Sequence, residues 1–94
     1  WTWRFDPFMW SRMTRRDPAE DLAAAKCRLA ITWGSRSVLF PDEIKTYVRQ
    51  QAPAGTLFVE IPEAQHHVLI DQPLALVTTM RAVISAWDAN DKAR

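Results

Sequence analysis

Residues 27–61 read CRLAITWGSRSVLFPDEIKTYVRQQAPAGTLFVEI, and the order of signals in them decides the fold. The first eight, CRLAITWG (27–34), are mostly apolar β-formers ended by a glycine, which predicts a strand. The near-continuous apolar run predicts burial on both faces, as in a parallel sheet. A loop, SRSVLFP (35–41), follows. DEIKTYVRQQA (42–52) then places Ile44, Tyr47 and Val48 on one helical face with charges opposite. Pro53 and Gly55 break that helix, and TLFVEI (56–61) predicts a second strand. Two strands joined through a helix of this length form a right-handed parallel crossover.

Working outward, Asp17-Pro18 marks a helix start. Asp17 caps, Pro18 opens, and Glu20 and Asp21 sit at the positive end of the dipole of a short Ala-rich helix, PAEDLAAAK (18–26). Upstream, WTWRFDPFMWSRMTRR (1–16) is dense in aromatics and arginine, with a short helix expected over Phe8–Met13 behind Pro7. Downstream, PLALVTTMRAVISAW (73–87) sets Leu76, Met80, Val83, Ile84 and Trp87 at helical spacing, with Pro73 in the first turn. A polar tail (89–94) is expected to fray. The order is helix, strand, helix, strand, helix, which is an α/β arrangement. Two parallel strands are not a stable sheet by themselves and call for further strands and for helices on both faces. The chain also opens at Trp1 rather than at a methionine. The expectation is therefore the last third of a larger α/β sheet protein, incomplete as an isolated domain.

The totals bound the alternatives. With 94 residues there is room for one small domain at most, and a domain of that size buries only about 60–65% of its unfolded surface. A formal charge of +1 makes no case for a nucleic-acid partner. The single cysteine, Cys27, excludes an intrachain disulfide and fits a reducing, cytoplasmic setting; at the edge of an apolar strand it is expected to be a buried thiol. No apolar run is long enough to span a membrane, and no segment has the regions of a signal peptide.

In open parallel sheets the chemistry sits on loops beyond the carboxyl ends of strands. Two loops qualify, 35–41 and 62–70. The second holds both histidines of the chain, His66 and His67, and imidazole suits proton transfer near neutral pH. A metal pair is disfavoured: adjacent residues on an extended loop point apart, and no cysteine or third histidine stands nearby. No cofactor is expected. Arg4, Arg12, Arg15 and Arg16 lie among tryptophans, but without the repeated spacing of a base-stacking platform. Trp1, Trp3, Phe5, Phe8 and Trp10 are expected to pack against the sheet or a substrate cavity.

These residues carry a resemblance. IPEAQHHVLIDQPLAL (61–76) resembles the C-terminal signature of the α/β-hydrolase fold: a strand, a short turn, the catalytic histidine, an apolar stretch, an acidic residue, one more residue, and a proline opening the last helix. In that pattern the histidine stands seven residues before the proline, which from Pro73 selects His66 rather than His67. LAITWGSRSVLF (29–40) resembles the preceding strand with its glycine-ended loop, and WTWRFDP (1–7) resembles a stretch that follows the lid in some members. The resemblance implies that 1–94 is the C-terminal part of one α/β-hydrolase domain, with 1–16 a post-lid segment, 17–88 sheet and helices, and 89–94 tail. It implies hydrolysis of an ester or similar small-molecule bond with His66 as the catalytic base. No Gly-x-Ser-x-Gly elbow occurs, so the nucleophile, Ser or Asp, is expected outside this chain, and the chain alone is expected to be inactive. The implied partners are the remainder of the hydrolase domain, in the same protein or as a separate chain, and a small-molecule substrate.

Two positions depart from the pattern. Gln65 stands where glycine usually precedes the histidine, and Ser37 stands three residues after Gly34, where the family often has its catalytic Asp. The acid is then expected after an earlier strand, ahead of Trp1, with Ser37 in a supporting place, and Asp42 is expected to cap the following helix. The same two departures favour the alternative, a non-catalytic interaction or structural module derived from the fold.

Overall fold

A computed structural model describes residues 4, 6–14 and 17–93. The elements are α1 (Met9–Arg12), α2 (Ala19–Ala23), β1 (Ala30–Gly34), α3 (Asp42–Gln51), β2 (Leu57–Ile61), α4 (Val68–Asp71) and α5 (Pro73–Lys92). β1 and β2 form a two-stranded parallel sheet in which Ala30 faces Leu57, Trp33 faces Glu60 and Gly34 faces Ile61. The strand–helix–strand order read from the sequence is thus present, with mixed helix and strand content of the α/β kind.

Alternation along the strands gives the sheet two unlike faces. Trp33, Phe58 and Glu60 share one face, which α3 covers in an unexpected way. Lys45 and Arg49 lie over the Trp33 ring at 5.7 and 5.8 Å from its centroid, and Arg49 lies 4.7 Å from that of Phe58. Two cations of α3 therefore lie against the sheet, while of the expected core face Val48 is half-buried and Ile44 and Tyr47 are exposed. The physical reason is on the sheet itself: two aromatic rings and the Glu60 carboxylate attract cations, and the alkyl stems of Lys and Arg supply apolar cover. Tyr47 instead donates its hydroxyl to Asp17 Oδ2 at 3.0 Å, tying α3 to the start of α2. That carboxylate acceptor, with lesser help from desolvation, raises the Tyr47 pKa.

The other face carries Val59 and Ile61, against which α4 and α5 pack. The core cluster is Ile61, Ala64 and Val68, with Val59, Ala75 and Leu76 around it. Further along α5, Leu76, Met80 and Ile84 look across an apolar groove of about 410 Å³ toward Ala30 and Thr32 of β1. Met80 and Ile84 remain exposed, as does Leu74 at 81%. Both strands are thus less covered than their composition predicts, since only Trp33, Gly34 and Ile61 in them are buried.

Several boundaries move for local reasons. α2 stops at Ala23, and β1 starts at Ala30, so Cys27 lies between elements and is exposed rather than buried. Asp17 does act at the start of α2, its Oδ1 accepting the Ala19 N–H at 2.9 Å. Asp42 is the first residue of α3 rather than its cap; Pro41 precedes the helix with no side-chain cap, and Asp42 pairs with Lys45 at 3.5 Å. α5 runs on through Lys92, into the 89–94 tail expected to fray, and Arg28 braces it there by donating to the Trp87 carbonyl at 3.0 Å and forming an ion pair with Asp91. Phe8 and Trp10 are exposed; Trp1, Trp3, Phe5, Arg15 and Arg16 lie outside the described residues.

Candidate functional site

The loops after β1 and β2 are joined to each other, and Gly34 is what lets them meet. A Cβ at Gly34 would run into the carbonyls of Ala64 and Gln65. With no side chain there, three cross-loop bonds close. The Ser35 N–H donates to the Ile61 carbonyl at 2.9 Å, the Arg36 N–H to the Ala64 carbonyl at 2.9 Å, and the Glu63 N–H to Ser35 Oγ at 3.0 Å. Glu63 adopts a positive φ of 55°, a conformation that side chains other than glycine disfavour. It is held by that bond to Ser35 and by Gln72 Nε2, which donates to its carbonyl at 3.3 Å.

Past Gly34 the chain turns back at once, the Ser37 N–H donating to the Gly34 carbonyl at 3.1 Å. This turn carries Ser37 to the second loop, where its Oγ stands 3.4 Å from His66 Nδ1. The pair sits at the mouth of a cavity of about 150 Å³ lined by Trp33, Gly34, Ser37, Phe40, His66 and Val68. It lies beyond the carboxyl ends of both parallel strands, where such sheets position reactive groups.

His66 and His67 are not equivalent. The His67 carbonyl accepts the N–H groups of Ile70 and Asp71 at 3.0 and 3.2 Å and so opens α4. The His67 side chain is exposed and meets His66 edge to face, with ring centroids 5.2 Å apart. The backbone of His67 bonds within the turn, and its ring stays out of the core. Gln65 leaves the turn uncrowded. Its side chain is exposed, and its N–H donates to Asp71 Oδ2 at 2.8 Å.

Asp71 and Ser35 are structural members of the site that reading by motif passed over. Asp71 was visible as the acidic residue two before Pro73, and its role is to receive the backbone N–H that precedes His66. Ser35, directly after a strand-ending glycine, is the kind of residue whose hydroxyl replaces a backbone partner in a turn. Among the described residues no carboxylate bonds either histidine. Glu60 instead accepts from Trp33 Nε1 at 3.0 Å and from Lys45 at 3.4 Å, contacts that lower its pKa, the indole bond foremost. Among the described residues no group of three His, Cys, Asp or Glu is placed to hold a metal ion, and no helix is long and apolar enough to cross a membrane.

Chemically, the arrangement presents an exposed imidazole with one nitrogen near a hydroxyl and the other without a hydrogen bond among the described residues, next to a partly apolar cavity. That is the minimum for moving a proton to or from a group bound beside it. No family model, curated protein or solved structure matches this chain.

Proposed function

We propose that this chain is the C-terminal part of an α/β-hydrolase and that His66 is its catalytic base. The observation that supports this best is the Ser37–His66 pair, 3.4 Å apart, on two loops that leave the same end of a parallel sheet. In this reading the rest of the domain supplies the nucleophile, the further strands and the remaining wall of the substrate cavity. The exposed apolar residues of α5 and the open groove beside β1 accord with such a covering part.

With a serine nucleophile, His66 Nε2 takes the hydroxyl proton as the oxygen attacks the substrate carbonyl, then returns it to the leaving group. With an aspartate nucleophile, the same nitrogen activates the water that cleaves the ester intermediate. Both need His66 exposed at Nε2 and steadied at Nδ1. A cytoplasmic location goes with the single, unpaired Cys27.

The test is turnover of short p-nitrophenyl esters by the complete protein with and without His66→Ala. Loss of a general base costs about 100- to 10,000-fold in rate. Equal turnover in the two proteins rejects His66 as the base. A second reading, a non-catalytic module built on the same fold, is favoured by one observation: among the described residues no carboxylate reaches His66. Absence of ester turnover in the unmodified complete protein, with binding of a protein partner retained, would select it.

A further inference from the structure

We infer that Ser37 is the positioning partner of His66: its hydroxyl oxygen accepts the Nδ1 proton of the imidazole and so leaves the Nε2 lone pair free. This deepens the reading of His66 as a base and rests on it for its catalytic consequence, though not for its geometry.

Three observations carry it. Ser37 Oγ lies 3.4 Å from Nδ1, the nitrogen on the side away from a base's working atom. The separation is long for a formed hydrogen bond, as is common before substrate tightens a site. Ser37 is also held, not merely near. It is half-buried, its N–H is fixed to the Gly34 carbonyl, and its carbonyl accepts the Phe40 N–H at 3.4 Å. Finally, no carboxylate among the described residues hydrogen-bonds His66: Asp71 is engaged by the Gln65 N–H and Glu60 by Trp33 and Lys45. Among the described residues, the group beside Nδ1 is a hydroxyl.

A hydroxyl and a carboxylate are not equivalent there. Either can accept from Nδ1–H and fix the ring's tautomer and rotation. Only the anion also stabilises the positive ring that forms when Nε2 takes a proton. Ser37 therefore orients His66 without strengthening it as a base. Its removal is expected to cost about what one neutral hydrogen bond contributes, roughly 2- to 10-fold in kcat. Replacing it with Asp puts an anion at Nδ1 and is expected to raise kcat where no other carboxylate serves that nitrogen.

The experiment has two arms on the complete protein. In the first, ¹⁵N-histidine NMR reads the His66 tautomer at a pH where the ring is neutral. The Nδ1–H form is expected to dominate in the unmodified protein and in Ser37→Thr, which keeps the hydroxyl, and to fall in Ser37→Ala. An unchanged tautomer ratio in Ser37→Ala overturns the inference. Thermal unfolding of each variant checks that the fold is intact, and Ser37→Cys, whose thiol is a weak acceptor, serves as the hydroxyl-free variant if Ser37→Ala unfolds. In the second arm, p-nitrophenyl ester turnover is compared across Ser37→Ala, Ser37→Thr, Ser37→Asp and His66→Ala. If His66→Ala is silent while the tautomer still follows Ser37, the catalytic reading fails and the positioning stands. If His66→Ala abolishes turnover and Ser37→Ala changes neither readout, the positioning fails and the catalytic reading stands.

Discussion

At the residue scale, the absence of a side chain at Gly34 lets the two loops of the site meet. Gly34 lies under two carbonyls of the histidine loop, so Gly34→Ala must push the loops apart. Overpacking of this kind costs about 1–3 kcal/mol. Denaturant unfolding of the complete protein is expected to show that loss, together with a disturbed His66 resonance; a neutral Gly34→Ala would mean that the loops do not meet there. Glu60 offers a pH test. Its carboxylate is favoured by the Trp33 indole N–H and then by Lys45, which lowers its pKa from the ordinary 4.5. Because the folded value lies below the unfolded one, the stabilisation is full above about pH 4.5 and fades as the pH falls through the folded value. The Glu60 carboxyl ¹³C titration is expected to move back toward 4.5 in Trp33→Phe. A midpoint that stays put would show the indole bond to be absent in solution.

At the element scale, α3 is the helix whose role differs most from its sequence pattern. The 3.6-residue period selects Ile44, Tyr47 and Val48 as a core face, yet of these only Val48 is half-buried, and Lys45 and Arg49 lie over the aromatic rings of the sheet. Periodicity sorts residues by polarity and does not register that a sheet face carrying Trp33, Phe58 and Glu60 prefers cations. Arg49→Ala removes both the charge and the stem that cover two rings. A loss of about 0.5–2 kcal/mol is expected by thermal or chemical unfolding. Arg49→Lys keeps the charge but not the planar stacking group, and should fall between the two. If Arg49→Ala leaves stability unchanged, α3 is docked by its tie to Asp17 instead. The terminal helix shows the opposite lesson: its start was marked by Pro73, while its end is braced by Arg28, sixty-odd residues away in sequence, holding Trp87 and Asp91.

For the whole molecule, the balance of surface to core is the central fact. The radius of gyration is 16.3 Å, against about 12 Å for a compact domain of this length. The buried apolar residues among those described are Ala19, Trp33, Ile61, Ala64 and Val68, while Leu74, Val77, Met80 and Ile84 of α5 are exposed. A two-stranded sheet with an open edge and such a helix face should attract other chains. The 94-residue chain in isolation is accordingly expected to self-associate and to unfold without a sharp transition, by sedimentation velocity and by calorimetry. A cooperative monomer would contradict the proposed need for a covering part.

Much of this was legible from residue order. Glycine and proline punctuation, helical period and β-branched runs are local properties, so strand–helix–strand and the helix opening at Pro73 could be read without a structure. The preference for His66 over His67 rests on the spacing to that proline in the α/β-hydrolase pattern the stretch resembles, and His66→Ala is its test. What the tertiary structure alone decided was which distant groups meet. Ser37 and His66 are 29 residues apart and come together because Gly34 lets one loop rest on the other's carbonyls. Lys45 and Arg49 of α3 lie over Trp33 and Phe58 because the opposing strand face is aromatic and acidic. Local signals determine the elements; the partners of each side chain depend on approach distances between elements, which no single stretch of sequence contains.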